Sequence, residues 1–307
     1  MASHAKRPHL DPTPDTPEQT ESSSEADSGS EDESNGMDEE IQVEFEARTP
    51  EERDYPGIVS LLKQCFRGSE EVELGTLARF IMKQKAVGSV VTQSPSDSTD
   101  DEDEDDLGNL MLVQSQGPWS FQFNVLTLIL GGTDGEVFGL ATIVRLKETE
   151  VADMIKRHLS KAVASTDPQG RMSKVLNSSD SDVGLIISER IINMPPQISV
   201  PLYQTLSNEV KKARAKNLPF NFTHYAILSK VLEMPDSASQ AGQMYTNAEE
   251  EIFVPECEFV LDTKTAEESR IHTLSQEDFI ERKKVLVFKA EKLDNIVTIV
   301  KNAFPIN

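Results

Sequence analysis

The stretch Val183-Gly184-Leu185-Ile186-Ile187-Ser188-Glu189-Arg190-Ile191-Ile192 decides how the rest of the chain is read. It is a near-continuous apolar run, broken only by Ser188-Glu189-Arg190 and stopped by Pro195-Pro196, which is the pattern of a central strand buried on both faces. The three polar residues admit two readings. Either Glu189 and Arg190 form an ion pair within the sheet, or the strand ends in a polar patch that faces a partner. A helix follows with Leu202, Leu206 and Val210 on one side. It closes in Lys211-Lys212-Ala213-Arg214-Ala215-Lys216, cations that suit the negative end of a helix dipole.

Reading outward from this strand gives a regular alternation of elements. Ile41, Val43 and Phe45 alternate with polar residues as a half-buried strand does. Thr49-Pro50-Glu51-Glu52 is a helix-start signature, and Ile58, Leu61, Leu62, Cys65 and Phe66 recur at helical spacing, which makes Cys65 a core residue. Leu74, Leu77, Ala78 and Ile81 mark a second helix, Val87 to Val91 a short strand, and Glu136 to Leu146 a longer one. Glu148 to Val163 reads as a helix with His158 at the edge of its apolar face, and Ser165 to Asp182 as a polar loop. Phe220 to Val231, Ile252 to Leu261 and Lys284 to Lys289 read as strands, and Leu293, Ile296, Val297, Val300 and Phe304 line a last helix. Several strands follow one another without a crossover helix. The expected fold class is therefore α/β of the α+β kind, a mixed, mostly antiparallel sheet flanked by helices.

The charge is unevenly placed. The 307 residues hold 53 acids and 30 Lys and Arg, a net of −23. Residues 1–40 carry twelve acids against Lys6 and Arg7, and Asp97 to Asp106 add eight acids and no base. Residues 1–40 have too few large apolar side chains to offset the entropy of ordering, so they are expected to form a disordered acidic tail. Residues 41–307 are expected to form one globular domain with an acidic loop at 92–106. Such a chain repels phosphate backbones and attracts basic proteins, so direct binding of nucleic acid is not expected unless a local basic patch exists. Ser22, Ser24, Ser28, Ser30, Ser98 and Thr99 each have an acid three residues on, the pattern an acid-directed kinase accepts; the alternative is serine that only solubilises an acidic segment.

The chemical inventory is thin. Phosphate-loop, nucleophile-elbow, zincin and dinucleotide motifs are all missing, and Gly131-Gly132-Thr133-Asp134-Gly135 lacks the lysine of a phosphate cradle. Cys65 and Cys257 lie far apart, a usage that fits a reducing compartment. No apolar stretch is long enough to span a bilayer, and a soluble intracellular protein with no cofactor and no metal is expected. Asn247-Ala248-Glu249-Glu250-Glu251 reads either as a divalent-ion site or, by preference, as the solvated edge of a strand.

The motifs then become specific. The run from Val183 to Ile198, which includes Ser188, Glu189, Arg190, Asn193, Pro195, Pro196 and Gln197, together with Pro201-Leu202-Tyr203, resembles the signature of the BCCIP family. That family is named for binding a breast-cancer susceptibility protein of recombination repair and a cyclin-dependent kinase inhibitor. Asn247-Ala248-Glu249-Glu250-Glu251-Ile252-Phe253, Val43 to Ala47, Gly88 to Val91 and Glu136 to Gly139 resemble further family motifs in the right order. The resemblance runs from about residue 41 to 307 and, with the acidic tail, points to animal members. It implies a fold like that of the GNAT acetyltransferases without enzymatic activity; the glycine-rich turn that holds acetyl-CoA there is not found here. It also implies a nuclear protein, present too in the cytoplasm, at centrosomes and at spindle poles. Implied partners are the repair protein, the kinase inhibitor, microtubule and centrosome components and a basic large-subunit ribosomal protein; membranes are not among them. One departure stands out. Leu107 to Asp134 is inserted relative to the family and reads as an extra strand or as a retained intron or alternative exon.

Overall fold

The computed structural model describes residues 44–93, 111–112, 136–191, 194–233, 243–264, 269–272 and 278–306. The acidic tail, the six candidate phosphorylation sites, Asn193 and most of the insertion lie outside the described residues. Ten strands form one sheet: β1 (Glu44–Arg48), β2 (Ser89–Gln93), β3 (Met111–Leu112), β4 (Gly139–Arg145), β5 (Val183–Arg190), β6 (His224–Glu233), β7 (Gln243–Tyr245), β8 (Phe259–Asp262), β9 (Ser269–His272) and β10 (Asp278–Lys289). Their order is β3-β1-β2-β4-β5-β6-β10-β8, with β7 beside β6 and β9 beside β10. Every pairing is antiparallel except β5 with β6. A parallel pair needs a crossover, and the chain supplies it with the long helix between the two strands. The mixed, mostly antiparallel α/β architecture expected from the sequence is therefore the architecture found.

Helices cover both faces. On one side lie α1 (Tyr55–Cys65), α2 (Leu74–Lys83), α3 (Glu150–Val163) and α4 (Arg171–Asn177); on the other lie α5 (Ser199–Ala215), α6 (Ala248–Phe253) and α7 (Leu293–Ala303). The alternation of side chains along a strand divides β5 between these layers. Val183, Leu185 and Ile187 pack with Leu61, Leu62 and Ile155, while Ile186 packs with Tyr203, Leu206 and Ile296. All eight residues of β5 are buried. Each fully buried Leu or Ile stabilises the sandwich by about 1.5–3 kcal/mol over an exposed one.

Local signals set the helix ends. Thr149 caps α3 by accepting from the Ala152 N–H at 3.0 Å, and Glu73 caps α2 through Gly75 and Thr76. The Thr49-Pro50-Glu51-Glu52 signature opens a single 3-10 turn before α1 begins at Tyr55. Asp54 is buried there and receives both Arg48 amino groups at 2.8 Å, which ties β1 to the start of α1.

Three expectations need correction. Ser165 to Asp182 contains α4, whose Met172 and Leu176 are buried one turn apart and whose Met172 N–H donates to Asp167 at 2.8 Å; the polar flanks concealed it. Ile252 to Leu261 is not a strand throughout, because α6 continues to Phe253, Val254-Pro255-Glu256 forms a 3-10 turn, and only Phe259–Asp262 pairs. Pro255 has no N–H to give to a ladder. The acidic loop expected at 92–106 does not include Thr92 and Gln93, which belong to β2; its other residues lie outside the described ones. Of the insertion, Met111–Leu112 pairs with Glu44 and Phe45 of β1.

Gly184 shows how tightly β5 is packed between the side chains of β4 and β6. A Cβ there would come within 2.7 Å of Ile143 Cγ2 and 3.1 Å of the Tyr225 ring. Gly184→Ala is expected to cost about 1–3 kcal/mol, the usual penalty for overpacking a filled core. Thermal melting checks this; an unchanged melting temperature would mean that β4, β5 and β6 are not packed this closely.

Candidate functional site

In open α/β sheets a ligand crevice forms beyond the carboxyl ends of parallel strands. This protein has one such place, because β5 and β6 are its only parallel pair among the described residues. Their ladder runs from Val183 opposite His224 to Ile186 opposite Ile227 and goes no further. From Val231 onward β6 pairs with β7 instead. The space between the ends of β5 and β6 is occupied by the protein's own polar groups, arranged separately on the two faces of the sheet.

On the α1 face, Lys230 Nζ donates to Glu189 Oε2 at 2.5 Å, both side chains being almost completely buried. Burial alone would depress the Lys230 ammonium, but Glu189 more than offsets it and holds the lysine raised. The Cys65 thiol lies beside this pair, and burial pushes it well above the ordinary thiol range, so it is an inert packing group. Lys283, opposite Lys230 in the β6–β10 register, donates to the Arg67 carbonyl at 2.9 Å.

On the α5 face, Arg190 binds Glu249 through two hydrogen bonds of 2.5 and 2.8 Å, and both are buried. The neighbouring Glu250 accepts from Ser229 Oγ at 2.5 Å and from Asn247 Nδ2 at 2.9 Å. Asn247 Nδ2 also reaches the Ser188 carbonyl at 3.3 Å, where β6 no longer supplies a ladder donor. The Thr246 N–H donates to the Lys230 carbonyl at 3.0 Å from the other side. Burial, then the adjacent Glu249, pushes the Glu250 carboxyl up to about 8. The Tyr203 hydroxyl is buried against this cluster with no hydrogen-bond partner among the described residues.

The structure thus brings together two motifs that the sequence keeps 59 residues apart. Ser188, Glu189, Arg190, Asn247, Glu249 and Glu250 are all buried, and Glu251 is the one exposed acid of the cluster. The solvated-edge reading of the cluster is corrected: the acids sit on a helix, not before a strand, and two of them point inward. The reading of a Glu189–Arg190 pair is corrected too, since consecutive strand residues face opposite sides of the sheet and each found a partner on another element. Nor do these residues present a polar patch at the surface. Pro195, Pro196 and Gln197 are half-buried where the chain turns into α5. Sequence reasoning missed Lys230 and Ser229, and it marked Tyr203 only as part of a resemblance motif. A lysine in the middle of the apolar run Ile227 to Leu232 was the available signal, because a charge there demands a buried counter-ion.

Other chemical candidates do not assemble into a reactive group. Ser69 Oγ meets His158 Nδ1 at 2.9 Å, and Glu71 lies 3.7 Å from that same nitrogen. A hydrolytic triad places serine and acid on opposite ring nitrogens. Here Ser69 Oγ accepts from the Val72 N–H at 3.2 Å and serves a turn. Cys257 Sγ donates to the Phe253 carbonyl, with its thiol pushed up to about 12 by burial. Among the described residues no group of three or more His, Cys, Asp or Glu side chains is placed to hold a metal, and no helix is long and apolar enough to cross a membrane.

Two outcomes follow from the buried cluster. Arg190→Met leaves Glu249 buried and unpaired and is expected to cost about 3–5 kcal/mol, whereas Arg190→Met with Glu249→Leu is expected to recover most of that loss. Denaturant unfolding checks both; a single variant as stable as the wild type would mean the pair is not desolvated. Glu250 is protonated in the folded state up to a pH of about 8 and in the unfolded state only to about 4.5. The folded form therefore binds the extra proton, and the stability it contributes is present at low pH and lost as pH rises from about 4.5 through about 8. Glu250→Gln keeps an acceptor for Ser229 and removes the titration, so its melting temperature relative to the wild type should climb between pH 5 and pH 8. Parallel melting curves for the two proteins would contradict this.

Known proteins bear on this arrangement. The chain matches the family model described as BCCIP over residues 40–292. It is 29% identical over 278 residues to a Drosophila melanogaster protein named Protein BCCIP homolog, covering 84% of this chain and 83% of that one. It is 32% identical over 231 residues to the Mus musculus BRCA2 and CDKN1A-interacting protein, covering 70% of this chain and 64% of the relative. The crystal structure of BCP1 from Saccharomyces cerevisiae superimposes with a TM-score of 0.55 at 16% identity, covering 90% of this chain and 97% of that one, so the fold is shared at low identity. The matched span includes both halves of the buried cluster, and the chain belongs to the BCCIP family.

Proposed function

We propose that this chain is a non-catalytic adaptor and chaperone that works through protein surfaces. The observation that carries this reading is the filled space between β5 and β6. Where a parallel pair would open a crevice for a small substrate, Asn247, Glu249 and Glu250 are bonded to Ser188, Arg190 and Ser229. Two depressions on the described surface, of about 460 and 470 Å³, are open to solvent. The names of the mouse, human and bovine relatives, as proteins that interact with BRCA2 and CDKN1A, support the same reading. Within it, the client set comprises a recombination-repair protein, a cyclin-dependent kinase inhibitor, microtubule and centrosome components and a basic large-subunit ribosomal protein. The setting is the nucleus, the cytoplasm, the centrosome and the spindle pole.

The acidic segments give this reading a mechanism. Asp97 to Asp106 hold eight acids without a base, and a basic client docking beside them loses its own repulsion. Exposed charges act over a Debye length of about 8 Å at physiological salt, so association should slow as salt rises. Replacing those eight acids by their amides is expected to slow association with a basic client at low salt and to flatten the salt dependence. Unchanged kinetics would remove the shielding role. A degenerate GNAT-like acyltransferase is the competing reading. On the adaptor reading acetyl-CoA leaves the melting temperature where it is, and a ligand-dependent rise would favour the enzyme.

A further inference from the structure

Two lysines lie side by side on the α1 face of the sheet. Lys283 of β10 is the direct register partner of Lys230 of β6, so both side chains stand on that face. Only one of them has a counter-ion. Glu189 takes Lys230, and Glu281 lies 3.7 Å from Arg67, which leaves Lys283 with no carboxylate within ion-pair distance among the described residues. Its Nζ donates to a neutral acceptor, the Arg67 carbonyl, at 2.9 Å. The charges of the group therefore balance when Lys283 is uncharged. Lys230 is sealed in the core, but Lys283 is half-buried, and Arg67 lines the open depression of about 470 Å³ together with Phe66 and Ser69.

The groups that face Lys283 pull its ammonium in opposite directions. Burial lowers it most, and Lys230 adds to that; Cys65 of α1, Glu281 of its own strand and Glu189 of β5 oppose them, and the lowering prevails. His158 of α3 is itself held low, first by burial and then by Lys283, so it adds no positive charge beside it.

We infer that Lys283 is an acylation site, whose amine takes a short acyl group from a thioester donor. The nitrogen lone pair attacks the thioester carbonyl carbon, the C–N bond forms as the C–S bond breaks, and the thiolate leaves and takes up the proton that the nitrogen gives up. A lysine that is desolvated and set beside another cation is an activated amine, because only the neutral form is nucleophilic. The product suits the site as well. An acylated Lys283 is permanently neutral, which keeps the balance of Lys230 with Glu189 and of Arg67 with Glu281, and it retains one N–H for the Arg67 carbonyl. Lys283 is the acceptor of the group, so the inference stands apart from the adaptor reading and from any transfer to a client.

The test treats the full chain with S-acetyl-N-acetylcysteamine, a small thioester without the nucleotide of coenzyme A, and maps acetyl-lysine by mass spectrometry. Lys174, exposed on α4, is the internal reference. At about pH 7 Lys283 is expected to be acetylated several-fold faster than Lys174, and the gap should close toward about pH 10, where ordinary lysines lose their protons too. In urea the two should react alike, since the preference comes from the folded neighbours. Equal or slower acetylation of Lys283 at about pH 7 would overturn the inference, as would a preference that survives in urea. Either failure leaves the salt dependence of association with a basic client as it was, so the adaptor reading is judged separately.

Discussion

A charge taken out of water must find a counter-charge, and in this protein that requirement falls on the end of β5. Glu189 and Arg190 are consecutive, so the strand sends one ion into each helical layer. Each layer answers from a different part of the chain: Lys230 from β6 on one side, Glu249 from α6 on the other. Replacing such pairs by apolar residues is often neutral in stability, so their value lies in specifying one arrangement. The specified arrangement is the position of α6 and β7 over the place where the parallel pair stops. With Glu249 seated on Arg190, Asn247 reaches the Ser188 carbonyl and Glu250 reaches Ser229.

That seating changes what the fold can do. An α/β sheet ordinarily offers small molecules the carboxyl ends of its parallel strands, and here those ends are joined by side chains. Cys65, Cys257 and His158, the residues that would be candidates for chemistry, are held by packing or by turns. The net charge, by contrast, lies mainly in acidic runs of the sequence, residues 1–40 and Asp97 to Asp106. In this BCCIP-family chain the charges taken into the domain at the end of β5 are paired within it.

Much of the fold was legible because it depends on periodicity. The apolar run of β5 and the helical spacing of Ile58, Leu61, Leu62 and Cys65 each record burial directly, and each was read correctly. Helix α4 was not legible, since only Met172 and Leu176 face inward and polar residues surround them. The acidic cluster at 247–251 was misread for a deeper reason. Asn247, Glu249 and Glu250 look solvated until Arg190, Ser188 and Ser229 are brought beside them, and only tertiary structure supplies those neighbours. The resemblance motifs marked the right residues without revealing that the two motifs touch. Lys230 within an apolar strand was the one local sign that a buried ion pair had to exist.

The central claim is that the chain from Thr246 to Glu250 is locked onto the core and is not a movable flap. Native-state hydrogen exchange of the Thr246 amide, which donates to the Lys230 carbonyl, measures this most directly. If the cluster is locked, Thr246 exchanges only through global unfolding, with the same opening free energy as Leu185 and Ile187 in β5. Exchange of Thr246 many-fold faster than those residues would show that the segment opens on its own, and that the space between β5 and β6 is accessible after all.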